Sequence, residues 1–145
     1  MNHKPGVNTL LERRTGMFFV TKVKNKTSSA TAEVVCDRMK NIPSGLKHTL
    51  TTDRGFENQA WRTIETETGL KTYFAHPYSS HERGANENAN GLLREYFPKK
   101  TDLNMITEEE LQFVEDRLNN RPRKVLGFRT PMEEKNRIMN IVMKC

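Results

Sequence analysis

Apolar and polar positions along this chain follow two periods in turn, and the changes of period mark out its elements. Residues 7–11 and 17–23 (MFFVTKV) are rich in β-favouring side chains and flank the polar turn ERRTG at 12–16, which predicts a β-hairpin. Residues 1–6 are polar, contain Pro5 and Gly6, and read as a turn. Ala30, Val34, Val35 and Met39 then recur at helical spacing behind the N-cap candidates Thr27 and Ser28, predicting a helix over 29–41 that Pro43 and Gly45 stop. A strand at 48–52 follows, then a helix over 57–68 with Ala60, Trp61 and Ile64 on one face, the capping Gly69, and a strand at 71–75. After a polar loop at 76–83, a helix is predicted from Gly84 or Ala85 to Tyr96, with Leu92, Leu93 and Tyr96 inward and Pro98 ending it. Thr107 with Glu108, Glu109 and Glu110 has the form of a capping box, opening a helix to about Asn119 that buries Leu111, Phe113, Val114 and Leu118. RPRK (121–124) and GFRTP (127–131) make a basic turn, and Thr130 and Pro131 open a last helix. Trp61, Tyr73 and Phe74 are expected in the core. Strands alternating with helices indicate a mixed α/β sheet with helices on its faces, in one domain over 1–145.

Charge adds a partner to this picture. Twenty-four Lys and Arg against eighteen Asp and Glu give +6 and a pI near 9.5. A basic surface attracts phosphate backbones and steers their approach, so a polyanionic partner is expected; the plain alternative is a soluble protein that is merely basic. The apolar share is only 34%, but it is clustered periodically, which excludes a disordered chain. Cys36 and Cys145 do not form a disulfide framework, and no apolar run is long enough to span a bilayer, so a cytoplasmic location without membrane association is expected.

The candidate chemistry rests on two carboxylates. Asp53 follows a strand-like run in TLTTDRG, and Glu87 stands in a predicted helix with thirty-three residues between the two. Magnesium is a hard ion that accepts few protein carboxylates when substrate phosphates complete its shell. Two such ions would clamp the attacking and leaving oxygens of an in-line displacement at phosphorus. By spacing alone, the commoner reading is an Asp that bonds its own turn and a Glu that is solvated.

The residues around the two acids change that balance. HPYSSHERGANENANGLLREYFPK, preceded by TTDRG and followed by LNNRPRKVLGFRTP, strongly resembles the DDE transposases of the insertion-sequence-thirty type, within the retroviral-integrase-like superfamily. The likeness covers about residues 2–134 and keeps the order and spacing of Asp53, the RGANEN segment with Glu87, and the RPRK and GFRTP blocks. It implies a ribonuclease-H-like mixed sheet flanked by helices. It also implies DNA cleavage and strand transfer at insertion-element ends, with two Mg²⁺ or Mn²⁺ ions held by Asp, Asp and Glu. By position Asp53 is the second acid and Glu87 the third. The partners implied are element-end DNA, target DNA and a second copy of the chain.

One departure from the family pattern matters. The family's first Asp lies on a strand in a pattern like W-E-G-D, just before the segment with which this sequence opens. Residues 1–6 hold no acid, and the NHK of 2–4 resembles the turn after that strand. The expectation is therefore a catalytic core truncated at its N-terminus and lacking its first, central strand. Such a chain would be inactive alone, because two carboxylates hold a two-ion clamp poorly. It would also be unstable or prone to aggregate unless the strand near Val7 paired with the one near Thr51. Glu12 and Asp37 do not stand where a central strand would deliver an acid, and Glu57, one helical turn after Asp53, could support it or simply serve the helix dipole. His76 and His81, flanking Tyr78, have no partners at zinc spacing. Arg83, Asn86, Asn90 and Arg94 around Glu87 are candidates for DNA contact, and Lys99, Lys100, Arg121, Arg123 and Lys124 are stronger ones because they cluster in connectors. The competing readings are a non-catalytic DNA-binding or oligomerisation remnant and a structure-selective nuclease of the same fold.

Overall fold

The computed structural model describes residues 4–77 and 84–144. Its elements are β1 (Gly6–Leu11), β2 (Phe18–Val23), α1 (Ser28–Met39), β3 (Thr49–Thr52), α2 (Trp61–Thr68), β4 (Lys71–Phe74), α3 (Gly84–Tyr96), α4 (Glu108–Asn119) and α5 (Pro131–Lys144), with 3-10 turns at Ser44–Leu46, Phe56–Asn58 and Lys124–Leu126. Tyr78, His81 and Arg83 lie outside the described residues. Contacts gather the chain into two compact units, Met1–Asn8 with Lys22–Gly84, and Thr9–Thr21 with Ala85–Cys145.

In the first unit, α2 is the crossover that lets β3 and β4 run parallel, in the register Thr49 to Lys71 through Thr52 to Phe74. Thr27 caps α1 by accepting the Ala30 N–H at 3.2 Å, and the helix buries Ala32, Val35, Cys36 and Met39 in the contact it makes with α2. Ile64 and Leu70 join this core. Burial there pushes the Cys36 thiol up to about 11, helped by its hydrogen bond to the Glu67 carboxylate. Gly69 ends α2 in the left-handed conformation (φ 77°), returning its N–H to the Glu65 carbonyl as only a residue without Cβ does freely. The helix expected over 57–68 is split. Residues 56–58 close i to i+3 bonds, Ala60 departs from helical angles, and α2 proper starts at Trp61. Tyr73 is not in the core. With Thr49, Thr51 and Lys71 it lies on an exposed face of the β3–β4 pair; its side chain is 47% accessible, with the Lys71 ammonium 5.4 Å from the ring. Trp61 and Phe74 are half-buried and meet edge to face at 5.8 Å.

In the second unit, α4 buries Leu111, Val114, Glu115, Leu118 and Asn119, a stripe at i, i+3, i+4, i+7 and i+8. Two of these five are polar, and both bond to β2. Asn119 accepts the Phe18 N–H at 2.8 Å and donates to the Phe18 carbonyl at 2.8 Å, while Glu115 accepts the Val20 N–H at 2.8 Å. Side chains of a helix thus take the place of a neighbouring strand along β2, closing an edge that would otherwise expose buried backbone groups. Phe113 sits one position off this stripe and is 59% exposed, with Arg117 beside its ring, so it does not supply the buried contact expected of it. On α3 the buried positions are Ala89 and Leu93, and Tyr96 is exposed rather than inward. The capping box predicted at Thr107 forms, and a second one stands at the start of α5. Thr107 and Glu110 exchange bonds of 3.1 Å at the start of α4, and Thr130 and Glu133 do the same before the fully buried Pro131 of α5.

Among the described residues the strands make two two-stranded sheets, β1–β2 and β3–β4, rather than one continuous sheet. The pairing of the strand near Val7 with the one near Thr51 is not formed; β3 pairs with β4.

Candidate functional site

Asp53 leaves the C-terminal end of β3, where the backbone turns sharply. Its Oδ1 accepts the Gly55 N–H at 2.8 Å and the Asn58 side-chain amide at 2.7 Å. The first bond is the Asx turn that a DRG sequence favours. The second fixes the carboxylate against the 3-10 turn that interrupts the expected helix.

Gly55 has a steric role in this turn. A Cβ there would stand 2.8 Å from Asp53 Oδ1 and 3.2 Å from Glu57 Oε2. Asp53 and Glu57 therefore flank one point, and their oxygens are no farther apart than those two distances laid end to end. This places Glu57 beside Asp53, consistent with a supporting role. Arg54, next in the chain, lies over the Phe74 ring at 5.8 Å, and Arg62 over Trp61 at 5.1 Å. His76 is exposed just beyond β4.

Glu87 is exposed in the first turn of α3, where the helix dipole favours a carboxylate. Asn90 and Arg94 follow it at i+3 and i+7, so the three share a helix face that is polar throughout. Asn86 is half-buried, one position off that face; Lys99 and Lys100 are exposed in the connector after Pro98. Asp53 belongs to the first unit, Glu87 and all the described basic candidates to the second.

The basic turn separates into two kinds of charge. Arg121 and Lys124 are exposed, and the contact of Arg121 with Glu95 is long at 3.9 Å between two solvated side chains. Arg123 folds back instead. It is half-buried, donates to the Leu118 carbonyl at the end of α4 at 3.4 Å, and its pKa is lowered by burial and by the neighbouring Arg121. Arg129 is tied to the buried Glu134 at 3.0 Å, and Arg137 holds the same carboxylate at 2.6 Å. Asn58, which pins Asp53, escaped the sequence reading because an Asn five residues after an Asp carries no local signature.

Among the described residues no three His, Cys, Asp or Glu side chains gather as a metal-binding group. No helix there is long and apolar enough to cross a membrane. The second unit also carries an open groove of about 360 Å³ lined by Tyr96, Phe97, Glu109, Glu110, Phe113 and Val114.

No family model matches the chain. Known proteins do. It is 42% identical over 127 residues to the transposase InsI for insertion sequence element IS30A of Escherichia coli K12, an alignment covering 88% of this chain and 33% of that protein. It is 39% identical over 139 residues to the transposase for IS4351 of Bacteroides fragilis, covering 96% of this chain and 42% of the relative. The chain thus spans a third to two-fifths of the length of the curated relatives it matches. Among solved structures, the catalytic core domain of BIV integrase superposes with a TM-score of 0.70 over 97% of this chain and 98% of that one, at 18% identity. That likeness establishes the mixed α/β integrase-core fold. By sequence the chain is a homologue of the transposases of the insertion-sequence-thirty type, over about a third of their length, and it has the fold of a retroviral integrase catalytic core.

Proposed function

We propose that this chain is the part of a DDE transposase core that supplies the second and third metal-binding acids and part of the DNA-binding surface. The observation that carries the reading is the placement of Asp53. It sits at the C-terminal end of a parallel strand, held by Gly55 and Asn58, and it is proposed as the second acid of the family motif. Glu87, in the first turn of α3, is proposed as the third acid. Each side chain offers carboxylate oxygens, the donor type that a hard divalent cation such as Mg²⁺ or Mn²⁺ takes. Such an ion, when bound, polarises a phosphoryl oxygen and activates the attacking water or hydroxyl.

The chain's own residues do the positioning. Asn58 and the Gly55 N–H orient the Asp53 carboxylate, and Glu57 lends a second carboxylate to its surroundings. Arg94, Lys99, Lys100, Arg121 and Lys124 draw in the phosphate backbone, and Asn90 shares the Glu87 face of α3. Arg83 and Asn86 are proposed in the same role. Two acids of a three-acid set do not sustain a two-ion clamp, so the chain by itself is expected to bind DNA and to cleave it very slowly or not at all. Element-end and target DNA, self-association and a cytoplasmic location belong to the same proposal.

The test is DNA binding and nicking by the 145-residue chain, with and without Mn²⁺. Duplex affinity should fall steeply between about 50 and 200 mM salt, as phosphate neutralisation requires. Any metal-dependent nicking should disappear in both Asp53→Asn and Glu87→Gln. Nicking that survives both substitutions would show that these acids are not the catalytic ones.

A further inference from the structure

The turn between α4 and α5 is built to hold two apolar side chains in water. Val125 is 92% exposed and Phe128 is 70% exposed. Neither exposure is a product of looseness. Five backbone bonds pin the segment: Leu126 N–H and Phe128 N–H to the Arg123 carbonyl, Gly127 N–H to Lys124, Arg129 N–H to Leu126, and Arg123 N–H to Arg129. Its ends are anchored as well, by Arg123 on the Leu118 carbonyl and by Arg129 on buried Glu134. Gly127 and then Phe128 adopt left-handed angles (φ 63° and 66°), and Phe128 is the one non-glycine residue described with positive φ. For a bulky aromatic side chain that conformation is strained. A rigid turn thus holds an aromatic ring outward at a conformational cost, and folding gains nothing from the ring's exposure.

The flanking charge indicates what the ring meets. Arg121 and Lys124 stand exposed on the same turn, whereas Arg123 and Arg129 are committed to holding it. A polyanion that also presents flat apolar faces satisfies both features, and a nucleic acid with accessible bases is such a ligand. We propose that Val125 and Phe128 form a stacking knob that engages an unpaired or unstacked base, with Arg121 and Lys124 on the adjacent phosphates. Base-aromatic stacking tolerates any sequence, because every base has a π-face, and an apolar wedge at a base step opens a duplex locally. The inference rests on the DNA-binding reading above and adds to it a preference for single-stranded or distorted DNA.

The experiment compares the 145-residue chain with Phe128→Gly, Phe128→Trp and Lys124→Ala. Each is titrated into a labelled 20-nucleotide single strand, the matching duplex, and a duplex carrying 2-aminopurine in a one-base bulge. Phe128→Gly removes the ring and relieves the backbone strain, so loss of folding does not confuse the result; melting curves check this. It should weaken single-strand and bulge binding about tenfold, with the salt slope and perfect-duplex affinity unchanged. Phe128→Trp should retain binding and quench the 2-aminopurine. Lys124→Ala should lower the salt slope by about one on all three ligands.

Equal single-strand affinity for wild type and Phe128→Gly overturns the knob while leaving the DNA-binding reading intact. Wild-type chain that binds none of the three ligands overturns both. If Phe128→Gly instead abolishes self-association or binding to anionic phosphatidylserine vesicles, with DNA affinity unchanged, the ring serves a protein or lipid surface and the proposal falls.

Discussion

At the scale of single residues, Gly55 shows how closely the Asp53 turn is fitted. Its missing Cβ leaves room for the Asp53 and Glu57 carboxylates, and Gly55→Ala would drive a methyl group to 2.8 Å from Asp53 Oδ1. The carboxylate must move, giving up its bonds to Gly55 and Asn58, and the expected cost is about 1–3 kcal/mol. The cost should shrink when Asp53 is already Ala, so a double-mutant cycle on melting temperature reads the coupling; strictly additive effects would refute the steric account. Asp53 itself was visible in the sequence, since TTDRG after a β-favouring run marks a strand end and a turn. Its partner Asn58 was not, because whether a side chain reaches back five residues depends on the 3-10 turn in between. Exposure was misjudged at Tyr73 and Phe113 for a related reason: aromatic residues suggest a core, but only packing decides which face of a strand or helix is covered.

At the scale of elements, the decisive contact is that of α4 with β2. Asn119, 1% exposed, satisfies both the N–H and the carbonyl of Phe18. Asn119→Ala strands two buried backbone groups and should destabilise the second unit by about 3 kcal/mol, lowering its melting temperature by roughly 10 °C or more. Asn119→Asp keeps the acceptor but loses the donor and should fall between; a drop of only a degree or two in the Ala variant would mean that water replaces the bonds.

The anchor of α5 to the basic turn has a pH signature. The Arg137 hydrogen bond, reinforced by the charges of Arg137 and Arg129, holds the Glu134 carboxyl below its ordinary value. A carboxyl whose folded pKa is depressed stabilises the fold fully above its unfolded pKa, and that contribution is lost as pH falls through the folded value. The melting temperatures of wild type and Glu134→Gln should therefore differ at neutral pH and converge in acid. A gap that persists at the lowest pH tested would assign the effect to packing rather than to charge.

At the scale of the whole molecule, two-stranded sheets are marginal by themselves, and the β3–β4 pair leaves the Thr49, Thr51, Lys71 and Tyr73 face open to water. Amides of Phe18–Val23 should consequently exchange more slowly than those of Thr49–Thr52, and the chain alone should self-associate with rising concentration. Exchange followed by mass spectrometry and sedimentation at several concentrations check this; a monomer that melts cooperatively at high temperature, with both strands equally protected, would contradict it. The sequence by itself determined the order of elements, the Thr107 capping box, the basic turn and the two candidate acids. Those features are written in residues a few positions apart, where hydrophobic period, cap chemistry and turn propensity act without distant partners. Only the tertiary structure decided that Glu115 and Asn119 are buried in place of a strand, that Arg123 and Arg129 brace the turn, and that Phe128 stands outward. The first depends on groups about a hundred residues apart in the chain, the second on side chains that reach back or forward five residues, and the third on a backbone conformation that local propensity opposes; such choices are settled by which polar groups must be satisfied once the core has closed.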